Sequence, residues 1–141
     1  MRASQINGCA YCLDMHSKDA RALGESEQRL HLLAAWREAS CYDARERAAL
    51  AWCEDLTLIS KQGTPDAVYE ELEQTFSAQE IVALTLAIVA VNGWNRLAIS
   101  MRPRLAHTSH PTTKQEREPC PLHYVKPRSS GRGRWHAEPG C

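Results

Sequence analysis

From Ile81 to Val91 the chain is apolar on every side, interrupted only by Thr85 and followed by the polar Asn92. Ser77 and Glu80 precede this run at the spacing of a capping box, in which the two residues satisfy each other's backbone N–H groups. The pattern predicts one long helix over about 78–100. A helix apolar nearly all round must be covered on all sides, either in a core or between subunits. No uninterrupted run of about 18 apolar residues occurs, so a membrane-crossing helix is not expected.

The other elements also read as helices, and residues 1–101 carry no hairpin signal followed by an alternating strand. Asn7-Gly8 is a possible turn, but a helical pattern follows it. A first helix is expected from Cys9 or Ala10 to Ala22, closed by Gly24. A second starts after Ser26 and runs to about Glu38, with Ala39–Tyr42 as the connection. Asp43 with Glu46 forms a capping box for a third, which carries Leu50, Trp52, Leu56 and Ile59 and stops at Gly63. Thr64-Pro65 opens a fourth, with proline at the tolerated first position, ending near Phe76. The fold class expected is all-α.

The composition changes abruptly near Met101. Residues 1–101 hold nine Lys and Arg against 14 Asp and Glu, whereas residues 102–141 hold eight against three. The second stretch also has six of the seven prolines and four of the six histidines. Its apolar residues are too sparse for a core, so 102–141 is expected to be a disordered basic tail behind a helical domain of residues 1–101. Its composition resembles out-of-frame or read-through sequence. Charged tails of this kind mostly stay solvated, and nucleic acid is not the expected partner. No basic-then-apolar signal segment opens the chain. The expected compartment is the cytoplasm, where cysteines remain mostly reduced and a close pair serves catalysis or metal binding.

The close pair is Cys9-Ala10-Tyr11-Cys12, followed by His16. Positions three and four apart share a helix face, so Cys9, Cys12 and His16 line one edge of the first helix. Two thiols at this spacing can close a disulfide. Cys9 stands at the helix start, where free N–H groups favour a thiolate, and His16 can take a proton from Cys12. This combination suits peroxide reduction: a thiolate attacks the O–O bond, and the sulfenic acid condenses with the second thiol. Two plainer readings compete. Cys9, Cys12 and His16 form three-quarters of a zinc site, but the helical body supplies no fourth ligand at a matching spacing. The cysteines can also be small core residues.

Several separated motifs sharpen the reading. The run Arg2–Ala20 around the dithiol, Leu33–Glu38, Glu46–Trp52 and Val91–Leu97 together resemble the carboxymuconolactone decarboxylase family, in its alkylhydroperoxidase-D-like branch. The resemblance covers residues 2 to about 101. It implies an alkylhydroperoxidase-like helical bundle that assembles as a homo-oligomer, commonly a trimer or hexamer. It implies antioxidant, thiol-dependent peroxidase activity with a thiol or dithiol electron donor and no cofactor or metal. By the same resemblance Cys12 attacks the peroxide, Cys9 resolves and His16 joins a proton relay. Active members carry a relay glutamate about a dozen residues before the first cysteine, and Met1 stands eight residues before Cys9. The bundle is thus expected to be truncated at its N-terminus, and a relay without that group to be slower by ~10²–10⁴-fold. A non-catalytic helical interaction module, or an inactive fragment of the family, is the alternative. Members that decarboxylate a lactone lack the cysteine pair.

The remaining candidates have plainer roles. Trp36, Trp52 and Trp94 are expected in a core or an interface. Cys53 is expected in a core, Cys41 in a loop, His31 as a satisfied surface or core histidine, and Asp14 in solvent. Tyr11 and Met15 flank the thiols. Glu46 could approach the dithiol, but its capping role accounts for it.

Overall fold

The computed structural model describes residues 1–103. The expectation of a disordered tail concerns residues that lie, from 104 onward, outside that description. Among the described residues all regular structure is helical: α1 (Arg2–Asn7), α2 (Ala10–Ala22), α3 (Glu27–Leu32) with a 3-10 turn at Leu33–Ala35, α4 (Ala44–Thr57), α5 (Ile59–Gln62), α6 (Asp66–Thr75) and α7 (Ala78–Met101).

The caps form where the sequence puts them. Asp43 and Ser77 each accept the backbone N–H three residues on, and Glu46 and Glu80 reach back to complete both capping boxes. Ser26 caps α3 through the Arg29 N–H at 3.2 Å. Pro65 stands one position earlier than expected, as the N-cap itself, so α6 begins at Asp66.

Three boundaries differ from the sequence reading. The second helix does not run to Glu38. Arg47 turns its guanidinium onto the carbonyls of Trp36, Arg37 and Ala39, at 3.0, 2.5 and 3.1 Å. Those carbonyls are thereby drawn away from a helical ladder. The third helix is split, because Leu58 leaves helical geometry before α5 resumes and closes at Gly63. Finally, α1 has no counterpart among the expected helices. Asn7-Gly8 is its C-terminal cap, with Gly8 in the left-handed region at φ 68°, where glycine avoids a steric cost.

The main core joins Ala48 and Trp52 of α4, Leu72 of α6, and Ile81 and Ile88 of α7. Leu72 is fully buried, and burying such a side chain contributes roughly 1.5–3 kcal/mol. Thr85, the one interruption of the apolar run, accepts the Trp52 indole N–H at 2.9 Å. A second cluster packs Trp36, Ala39 and Tyr42 against Leu50 and Ala51. Trp36 and Trp52 are therefore core residues, as expected.

The long helix behaves differently. By length and composition α7 passes for a membrane span. It packs on α1, α2, α4 and α6. Its buried residues are Ile81, Ile88 and Asn95, one narrow stripe. Val82, Leu86, Val89 and Leu97 are exposed, and Trp94 is 67% exposed. Among the described residues no core covers that face of the helix.

Glu54 holds the second cluster to α1. Its carboxylate is buried and accepts from the Trp36 indole at 2.8 Å, from Arg2 at 2.6 Å and from Arg37. Burial alone would raise its pKa. The bonds from Trp36, Arg37 and Arg2 outweigh that and hold it below the ordinary carboxylate value. A group depressed in the folded state stabilises above its unfolded pKa, and that contribution disappears as pH falls through the folded value. Urea midpoints should therefore drop more steeply below about pH 4.5 in the wild type than in Glu54→Gln. Parallel acid limbs would show that the carboxylate is not what the acid removes.

Candidate functional site

The dithiol is built at the joint between α1 and α2. The left-handed Gly8 ends α1, and Cys9 then takes an extended conformation as N-cap of α2. The Cys9 N–H donates to the Ser4 carbonyl at 3.0 Å, which ties the start of the motif to α1. The Cys9 Sγ accepts the Cys12 N–H at 3.3 Å, so the sulfur occupies the place of a capping oxygen. Cys9 and Cys12 are joined as a disulfide with their Cα atoms 5.4 Å apart. They are 1% and 3% exposed.

Cys12 looks into a cavity of about 370 Å³ lined by Tyr11, Met15 and His16 of α2 and by Val91, Trp94 and Ala98 of α7. Tyr11 and Met15 thus flank the thiol site, as expected. His16 shares the cavity with Cys12, and in this oxidised form the two make no hydrogen bond. Its Nδ1 lies 3.9 Å from the Asp19 carboxylate. Burial lowers the His16 pKa, the Met1 amino group lowers it further, and Asp19 opposes both. The imidazole is therefore neutral at pH 7 and able to accept a proton. The cavity walls are otherwise mostly apolar: Met15, Val91, Trp94 and Ala98.

The other expectations sort as follows. Cys53 packs against the main core, and burial pushes its thiol pKa up. Cys41 is a free, half-buried thiol in the loop before α4. His31 is on the surface near Glu27. Asp14 pairs with Lys18 at 2.6 Å. Glu46 stays with Asp43 and Arg29. Trp94, expected in a core or an interface, is not in the core: within one chain it is an exposed wall of the cavity. Among the described residues no three His, Cys, Asp or Glu side chains gather to hold a metal.

The sequence reading missed what locks α1 in place. Asn95, fully buried, accepts from Asn7 at 2.9 Å and donates to the Ser4 hydroxyl at 3.0 Å. Asn7 also donates to Asn92 at 2.8 Å, and Asn92 donates to Thr57 at 3.1 Å. Two asparagines three apart in an apolar helix were a visible signal, since buried amides need partners.

The site is thus a capped CxxC disulfide in a helical bundle, opening on a histidine-bearing cavity. The comparisons make this specific. The carboxymuconolactone decarboxylase family model matches residues 1–55. The uncharacterized protein YdfG of Bacillus subtilis is 44% identical over 106 residues, covering 75% of this chain and 72% of that protein. The uncharacterized protein YnjA of Escherichia coli is 29% identical over 87 residues, or 62% of this chain and 47% of that one. A crystal structure of a protein of unknown function from Agrobacterium tumefaciens, suggested to be the antioxidant defence protein AhpD, superposes with a TM-score of 0.72 at 48% identity. The match covers 73% of this chain and 70% of that one. The chain belongs to the carboxymuconolactone decarboxylase family, with the alkylhydroperoxidase-like fold.

Proposed function

We propose that the protein is a thiol-dependent peroxidase. The observation that carries this reading is the placement of Cys12 and His16 on one apolar cavity, with Cys9 within bonding reach behind it. Reduced Cys12 gives its proton to His16, and the thiolate attacks the nearer oxygen of an organic hydroperoxide. The O–O bond breaks, Cys12 becomes a sulfenic acid, and the alkoxide leaves as the alcohol after taking a proton. Cys9 then attacks the Cys12 sulfur, water leaves and the disulfide forms. A thiol electron donor restores the pair. The exposed apolar face of α7 supports a homo-oligomer.

Mass spectrometry tests this directly. The reduced protein, given an organic hydroperoxide, should lose two thiols and gain the Cys9–Cys12 disulfide. Thiol loss no faster than in a Cys9→Ser/Cys12→Ser double variant would rule the activity out. The rate should also carry a pH signature. Because the His16 pKa is lowered, the rate should climb through an inflection below pH 6.5. His16→Gln should lose that inflection and run about 10²-fold slower or worse. An unchanged profile would remove His16 from the reaction.

A further inference from the structure

We propose that the disulfide is reached from two separate mouths, and that its reductant, a small thiol bearing carboxylates, attacks Cys9 through the second. The inference rests on the redox reading of the dithiol above and concerns the reducing half of the cycle.

Besides the cavity at Cys12, a second one of about 310 Å³ opens on Cys9, with Gly8, Ile99 and Arg102 in its walls. Tyr11 and Ala98 belong to both cavities and stand between them. A thiolate attacks a disulfide sulfur in line with the S–S bond, so it must approach each sulfur from the side away from the other. The Cys12 mouth therefore serves attack at Cys12, and the Cys9 mouth serves attack at Cys9. The two differ in charge. The Cys12 mouth is apolar apart from Tyr11 and a neutral His16. The Cys9 mouth combines the guanidinium of Arg102 with the N-terminal end of the 13-residue helix α2, both of which favour an anionic visitor.

The leaving groups agree with this direction. A donor thiolate bonds to the Cys9 Sγ, the Cys9–Cys12 bond breaks, and its electron pair leaves on Cys12. That sulfur shares its cavity with the neutral His16, and as a thiolate Cys12 is reset for peroxide. A second donor thiolate attacks the donor's own sulfur in the mixed disulfide. The donor leaves as its disulfide, and Cys9 departs as a thiolate on the amide of Cys12 that already donates to it at 3.3 Å. Two donor thiols are oxidised and two protein thiols are regained.

The test uses the full oxidised chain and three thiols compared at equal thiolate concentration: glutathione, 2-mercaptoethanol and cysteamine. Quenching with acid and alkylating free thiols should leave glutathione on Cys9 and the alkyl group on Cys12. The opposite labelling overturns the proposal. Glutathione should also outrun cysteamine, and Arg102→Gln should erase that preference; no preference in the wild type overturns the donor class. Narrowing the mouths gives an independent reading. Ile99→Trp should lower the ratio of reduction rate to peroxide-oxidation rate by about tenfold or more, and Val91→Trp should raise it. Equal changes in both rates would overturn the two-mouth arrangement. If Ile99→Trp does not fold, the labelling of the wild type still decides. A chain inert to peroxide but labelled on Cys9 would retire the peroxidase reading and leave the second mouth standing.

Discussion

Replacing Cys12 with serine will stop peroxide consumption, lowering the rate by roughly 10³-fold or more, as removal of a nucleophile does. The residue remaining is Cys9, whose sulfur sits behind Cys12 and outside the His16 cavity. Cys9→Ser will behave differently. Its Cys12 should still react once, gain one oxygen and stop, because no second thiol is there to condense with the sulfenic acid. Intact mass measured over time after a single addition of hydroperoxide separates the two. The contrast is informative because the structure contains an opposing influence. Cys9 occupies the helix N-cap, where a backbone N–H already points at its sulfur, and that position stabilises a thiolate. Should Cys9→Ser stay unoxidised while Cys12→Ser gains one oxygen, the helix end has outweighed the histidine cavity, and the two roles are exchanged.

Asn95→Ala should cost about 2–4 kcal/mol of folding stability, measured by urea unfolding. Asn95 is fully buried and bridges Asn7 to Ser4. Its removal takes the donor from the Ser4 hydroxyl, leaves Asn7 with Asn92 as its one acceptor, and opens a small void beneath them. The damage should concentrate in residues 2–7, where amide exchange should accelerate more than in α4 or α7. It should then reach the dithiol, because Cys9 hangs from the Ser4 carbonyl. A loss below about 1 kcal/mol, with unchanged exchange in α1, would mean that the Arg2–Glu54 pair alone docks that helix.

The features legible from the chain were those fixed by neighbours in sequence. Capping boxes at Asp43 and Ser77 need only four consecutive residues each, and both formed. The Cys9, Cys12 and His16 spacing needs only the helical period, although the period alone does not show that the two thiols face separate cavities. Helix α1 was not legible. Six residues cannot hold a helix alone in water, and this one is held by Asn95, Asn92 and Glu54, about 50 to 90 residues away in the chain. The extent of α3 was likewise decided at a distance, by Arg47 drawing on carbonyls that a helix would have used.

The long apolar helix shows the division most plainly. Its length, its start at Ser77 and its need for cover follow from sequence, because period and capping are local properties. Which side is covered does not. Tertiary packing gave the Ile81–Ile88–Asn95 stripe to the core and left Val82, Leu86 and Val89 outside it. It also turned Trp94 into a wall of the cavity at Cys12. Hydrophobicity is non-directional, so a helix apolar all round states that it must be buried, and only the arrangement of its partners decides where.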